Sequence, residues 1–321
     1  MIESPFETPR NPRAKPWFSW TYVLRFLVAL VLISYLIYSA GISKLFATFV
    51  NLNPMAVIAT LISSMLFLFL GAINIWLLLR AMHSIPFFKF MKSYILSYSV
   101  NLFTPGQIGD ASLSLFLKRQ GVPFSRSAVA YSIDKGITAL ILLSIAGIGV
   151  EMFLVQVNLK WLIILPVAAA IFMLTVGGGI WFIRWNCSFL RRLQELLKNA
   201  ISELTIFKDK WYLIVLNFCL TVAKWLVMSL TFYLGFYCLG VNIKWPEIGI
   251  IPATSTIVAY IPISIGGLGT VEYLAIYLFS LIAVDEVKVL GAYLFLRCLT
   301  YFQAGVILLI SVWKIQDERR E

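Results

Sequence analysis

The feature that most constrains this chain is its repeated runs of about twenty or more residues with almost no charge. They cover 22–42, 54–79, 128–150, 161–183, 211–239 and 289–313. The third contains Asp134 and Lys135, the fifth Lys224 and the last Arg297. About 20 apolar residues in helical form cross a bilayer core. In hydrocarbon every backbone N–H and C=O must be satisfied internally, which leaves only helices and closed barrels. Barrel strands are about ten residues long and alternate in polarity, so these runs read as helices. Only 13% of the residues are charged and 60% are hydrophobic. A soluble domain carries about 25% charged residues. A soluble enzyme, a secreted disulfide scaffold and a disordered chain are therefore excluded.

The net charge of +11 does not indicate nucleic acid, because the basic residues flank the apolar runs. With the N-terminus inside, 19 of the 26 Lys and Arg residues fall on the cytoplasmic side. Lys44, Lys160, Lys244 and Lys288 fall outside, and Lys135, Lys224 and Arg297 lie at membrane depth. This asymmetry predicts a multi-pass plasma-membrane protein with both termini cytoplasmic. Trp20, Trp161, Trp211, Trp245 and Trp313 sit near the ends of spans, where interfacial aromatics belong. Residues 1–19, with Pro5, Pro9, Pro12 and Pro16, read as a disordered basic arm. Residues 187–210 read as an amphipathic linker on the cytoplasmic surface, and 315–321 as a cytoplasmic tail.

Cys187, Cys219, Cys238 and Cys298 form no paired motif and read as small core residues. His83 is the sole histidine, so no histidine metal centre is expected, and no other metal site or cofactor is expected either. No Gly-x-x-x-x-Gly-Lys-Ser/Thr loop is present, so no ATP site is recognisable.

Two further apolar segments, 92–118 and 248–283, are interrupted. The first carries Pro105, Gly106 and Gly109, and the second Pro262, Gly266, Gly267, Gly269 and Thr270. Proline and clustered glycine break helices. The arm 92–103 would rise about 16 Å as helix, roughly half of a ~30 Å core. Each segment therefore reads as a re-entrant hairpin turning near the midplane, which requires protein or a wet cavity around it. The expected fold is all-α and polytopic, with about six spanning helices and two re-entrant hairpins. The order span, hairpin, span occurs in 54–150 and again, inverted, in 211–314. Asp110 precedes Asp134 by 24 residues, and Glu272 precedes Arg297 by 25. Inverted repeats with broken helices are a transporter architecture.

Six ionisable residues lie at membrane depth: Asp110, Asp134, Lys135, Lys224, Glu272 and Arg297. A charge at the bilayer centre costs about 2.5–3.5 kcal/mol, so these side chains should face inward, where they pair or line a wet cavity. Stapling the two repeats together would account for pairing. It would not account for acids placed at the two helix breaks. Asp110 and Thr270 each open an outgoing half-helix, whose N-terminus can hold a carboxylate or a phosphate.

In this order and spacing, Pro105-x-x-x-Gly109-Asp110, Lys118, Gly121 and Asp134-Lys135 form a first set. Pro262-x-x-x-Gly266-Gly267-x-Gly269-x-x-Glu272 and Arg297 form a second. With them the chain resembles the membrane domain of the lysylphosphatidylglycerol synthase/flippase family over roughly 20–314. The resemblance implies a domain that moves an aminoacylated phospholipid from the inner to the outer leaflet. In the family, a separate soluble domain makes that lipid from aminoacyl-tRNA. The chain ends eight residues after Trp313, so no such domain and no enzymatic activity are expected. Stand-alone relatives are associated with polyprenyl-phosphate sugars. Lys135 stands where the family often has arginine, and 111–115 lacks the basic residue that often follows the first acid.

The favoured expectation is a lipid flippase or scramblase for a phospholipid, aminoacylated or not, or for a polyprenyl-phosphate lipid. Asp110 and Glu272 would meet a cationic headgroup; Lys135, Lys224 and Arg297 would meet phosphate; Asp134 completes the set. The alternatives are a membrane enzyme or subunit of polyprenyl-phosphate sugar transfer, and an ion-coupled small-solute transporter. Membrane lipids are the expected partners, and no nucleic acid is. A separate lipid-modifying enzyme and a homodimer are both allowed.

Overall fold

The computed structural model of the protein describes residues 20–50, 52–102, 104, 111–154, 206–260 and 263–317. The basic arm 1–19, the expected span 161–183, Cys187, most of the linker 187–210 and residues 318–321 lie outside the described residues. So do Pro105, Gly106, Gly109 and Asp110 of the first break, and Pro262 of the second.

Every regular element of the described residues is helical. In chain order the helices are α1 (Trp20–Ala40), α2 (Ile42–Val50), α3 (Pro54–Met82), α4 (Phe87–Leu102), α5 (Ala111–Lys118) and α6 (Phe124–Leu154). After a short helical turn at Ile206–Asp209 come α7 (Trp211–Cys238), α8 (Trp245–Thr256), α9 (Thr270–Ser280) and α10 (Glu286–Asp317). Five of them are long and apolar enough to cross a membrane: α1, α3, α6, α7 and α10. The chain is a polytopic all-α membrane protein.

Local chemistry sets the helix ends. At the start of α3, Asn53 Oδ1 accepts the N–H groups of Met55 at 3.0 Å and Ala56 at 3.3 Å, and Pro54 occupies the first position, which needs no N–H partner. Gly41, with φ +82°, ends α1 two residues before the expected limit of the first span, and a separate helix, α2, follows. Three of the other spans are longer than expected, while α7 ends at Cys238, one residue early. Helix α3 continues to Met82, α6 covers Phe124–Leu154 and α10 begins at Glu286. Polar end residues keep helical geometry once the backbone is hydrogen-bonded, so hydropathy alone trims them.

Helices α3 and α7 run antiparallel through the centre. Thr60 meets Cys238 at 3.6 Å, Ser63 meets Thr231 at 2.8 Å, Asn74 meets Thr221 at 2.8 Å, and Lys210 Nζ donates to the Ala81 carbonyl at 3.1 Å. Small and polar residues on this seam allow close approach, as membrane helices require. Each side of the seam has its own apolar core. One gathers Leu78, Leu79, Phe90, Leu113, Leu117 and Ala130 of α3–α6. The other gathers Phe236, Ile248, Ile251, Phe279 and Val289 of α7–α10. The two halves exchange arms: α4 packs against α10, and α8 packs against α6.

The outer faces are apolar. Leu30, Ile62, Leu143 and Leu226 are exposed on four of the long helices, and Trp211 and Trp245 are exposed at helix starts. Cys238 is buried, but Cys219 and Cys298 are exposed on these outer faces, which corrects their reading as core residues. Lipid is as apolar as the core, so nothing drives a small thiol inward at that depth.

Candidate functional site

The second helix break builds the best-defined part of the site. Helix α8 carries Pro252, gives way to a 3-10 turn at Ile257–Tyr260, and the chain resumes as α9 at Thr270. Between them Gly266, Gly267 and Gly269 all take positive φ, at 57°, 71° and 83°. A Cβ on Gly267 would stand 2.8 Å from both the Ala259 and Val271 side chains. Glycine is required there for both conformation and space.

Glu272 and Arg297 hold this break in shape. Glu272 is 0% exposed, in the first turn of α9. Its Oε2 accepts the Gly269 N–H at 2.7 Å, which satisfies an N-terminal donor of the helix. Its Oε1 accepts Arg297 Nε at 2.7 Å. Arg297 Nη1 also donates to the Gly266 carbonyl at 2.9 Å, tying α10 to the turn. Thr270 Oγ1 donates to the Gly267 carbonyl at 3.0 Å. The expectation that Glu272 meets a headgroup is not what the geometry offers. Both its oxygens are occupied and it is sealed, whereas the Arg297 side chain is 21% exposed.

That exposed edge of Arg297 opens into a cavity of about 200 Å³ between the two halves. Tyr98 and Leu102 of α4 line it, with Ser64 of α3, Thr231 of α7, Gly266 of the turn, and Thr300 and Gln303 of α10. Gln303 Nε2 donates to Ser64 Oγ at 2.6 Å. A Cβ on Gly266 would stand 3.3 Å from the Leu102 carbonyl oxygen, so the end of α4 abuts the second break. Among the described residues the walls are mostly apolar, with a few placed polar groups and the Arg297 guanidinium. Such a cavity can take a small anionic group while excluding most water.

The other expected residues gather elsewhere. Asp134 of α6 is 3% exposed, and its Oδ1 accepts Asn74 Nδ2 at 2.7 Å and Asn217 Nδ2 at 3.4 Å. Asn74 also donates to Thr221 Oγ1 at 2.8 Å. The carboxylate thus sits in a buried amide and hydroxyl cluster joining α3, α6 and α7. Lys224, 7% exposed, follows Thr221 by one turn, and its stem approaches Gly71 of α3, against which the Tyr94 hydroxyl also lies. Lys135 Nζ lies 5.2 Å from the centre of the Tyr131 ring, a cation–π contact. Asp110 lies outside the described residues. Glu272 and Arg297 therefore form one group, Asp134 belongs to a second, Lys224 flanks that second group, and Lys135 lies against Tyr131.

The sequence reasoning missed Asn74, Asn217, Thr221, Tyr98 and Gln303. Attention to ionisable groups passed over them, although a lone amide such as Asn74 inside an apolar span costs enough to mark a buried partner. Among the described residues, no group of three or more His, Cys, Asp or Glu could hold a metal ion.

The model of one protein family, described as the lysylphosphatidylglycerol synthase TM region, matches residues 22–307. No curated protein matches the chain.

Proposed function

Because the chain belongs to the lysylphosphatidylglycerol synthase transmembrane-region family, we propose that it is a lipid flippase or scramblase that passes a phosphate-bearing headgroup between leaflets. The observation that carries this reading is the Arg297 cavity between the two halves. Its volume of about 200 Å³ is below the roughly 300–1,000 Å³ of sites that enclose a whole drug-sized ligand. It suits a headgroup whose acyl chains stay outside in lipid. Arg297 spends Nε on Glu272 and Nη1 on Gly266, which leaves its Nη2 N–H groups to meet phosphate.

On this reading the halves 54–150 and 211–314 form an inverted repeat, and the broken helices α4–α5 and α8–α9 are re-entrant hairpins. The antiparallel α3–α7 seam and the exchange of α4 onto α10 and α8 onto α6 support it. Glu272 is a positioning residue: it neutralises Arg297 and caps α9, so the guanidinium keeps its place when the cavity is empty. The site is one for binding and passage, with no bond made or broken by the protein. The protein sits in the plasma membrane with both termini cytoplasmic.

Lipid retention by the purified full chain tests the reading. Native mass spectrometry should find a phosphate-bearing lipid on the protein. The paired change Glu272→Gln with Arg297→Gln removes both charges together and avoids an orphaned one. It should retain fewer such lipids per chain than the wild type while the protein stays folded. Undiminished lipid on the folded double variant would refute Arg297 as the phosphate group.

A further inference from the structure

A second cleft, of about 490 Å³, lies where α3 hands over to α4. It is lined by His83, Lys89, Lys92 and Gln120, with the Ser84–Pro86 backbone between the helices. Lys89 and Lys92 are both exposed, and no acidic side chain is among the described residues that line the cleft. Gln120 Nε2 donates to Ser93 Oγ at 2.8 Å, which holds the end of the α5 turn over α4. The first turn of α4, which carries Lys89, also carries Phe87 and Phe88. Phe88 is 80% exposed and Phe69 42%, and the Phe87 ring packs edge-on to both Phe69, at 5.7 Å, and Trp76, at 5.3 Å. The Trp76 indole is fixed by its Nε1 donation to the Ile85 carbonyl at 2.9 Å.

We propose that this cleft binds an anionic phospholipid, with the phosphate against Lys89 and Lys92 and an acyl chain along Phe88 and Phe69. A free anion would need the cations but not an exposed aromatic side chain on the same helix turn. A zwitterionic lipid would use the aromatic side chains but gain little from two lysines with no acid among the described lining residues. Together they match a negatively charged headgroup carrying a chain. The fold also gives the cleft a direction. Lys89 and Lys92 lie in the first turns of α4, and Tyr98 and Leu102, near the far end of the same helix, line the Arg297 cavity. Resting on the flippase reading, the cleft is then the loading site for that cavity, and the substrate class is an anionic lipid.

The test is lipid competition on the full chain in detergent, read by native mass spectrometry with phosphatidylglycerol, phosphatidylcholine and inorganic phosphate. Each basic side chain near an anionic surface accounts for roughly a fivefold effect. Lys89→Gln with Lys92→Gln should therefore lower phosphatidylglycerol retention roughly tenfold or more and leave phosphatidylcholine unchanged. Lys118→Gln with Lys208→Gln removes the same charge from exposed positions at that end of the bundle but outside the cleft, and should change little. The proposal is overturned by equal retention of the two lipids on the wild type, by equal losses in the two double variants, or by inorganic phosphate displacing phosphatidylglycerol at millimolar concentration. None of these readouts needs transport. Specific binding without transfer would sink the flippase reading and leave the cleft standing.

Discussion

Arg297 has two duties that a single substitution cannot separate: it faces the cavity, and it compensates Glu272. Removing one partner of a buried pair costs about 3–5 kcal/mol, because the other charge is left without compensation. Glu272→Gln alone should therefore lower the thermal midpoint more than the double change Glu272→Gln with Arg297→Gln, as read by unfolding in detergent. Equal or reversed midpoints would mean that the pair does not hold the break. The Asp134 cluster has a different logic, since its carboxylate is met by neutral amides. Asp134→Asn keeps an oxygen for Asn74 and Asn217 and should fold with nearly unchanged stability. Asn74→Leu removes the donor to both Asp134 and Thr221 and should cost about 1–3 kcal/mol. A tolerant Asn74→Leu in the same unfolding measurement would contradict that account. The sequence marked Asp134, Glu272 and Arg297 as buried charges because hydrocarbon makes charge expensive. It did not show which are mutually paired, because pairing depends on how α6 and α10 are rotated against their neighbours. The amide partners were invisible to a search for charge.

At the scale of elements, the second break depends on glycine. Gly267→Ala would force φ 71° on a residue with a Cβ and press that Cβ against Ala259 and Val271. The left-handed conformation alone costs about 1–2 kcal/mol. The variant should lose thermal stability and lipid transfer together, whereas Gly305→Ala, with nothing within 4 Å of its Cβ, should be silent. Both breaks were legible as elements, because proline and clustered glycine interrupt apolar runs whatever the tertiary context. Their limits were less so. Helix α4 begins at Phe87, five residues before the expected start, and α8 ends at Thr256, ahead of the glycines. Pro252 lies one turn before that end and withholds an N–H from the Ile248 carbonyl, yet α8 continues past it to Thr256. Helix α2 was missed because it is too short to span and looks like the tail of the first run.

For the whole molecule, six apolar runs and two broken segments were enough to place the chain among polytopic helical membrane proteins. Hydropathy reports directly on the solvent each helix faces. Which halves meet, and where a cavity remains between them, follows from the α3–α7 seam, whose polar contacts are few and far apart in sequence. The orientation of the chain rests on its charge asymmetry, and predicts that reporters fused after Glu321 are active only on the cytoplasmic side. Activity on the outer side would invert the assignment of both breaks. The most direct measurement of the central claim is leaflet transfer of a labelled phospholipid in proteoliposomes, normalised to folded protein. Wild-type protein should accelerate transfer above protein-free vesicles, and the stable double variant Glu272→Gln with Arg297→Gln should return it to the background rate. Wild-type protein that leaves transfer at background, or a folded double variant that transfers at the wild-type rate, would contradict the account.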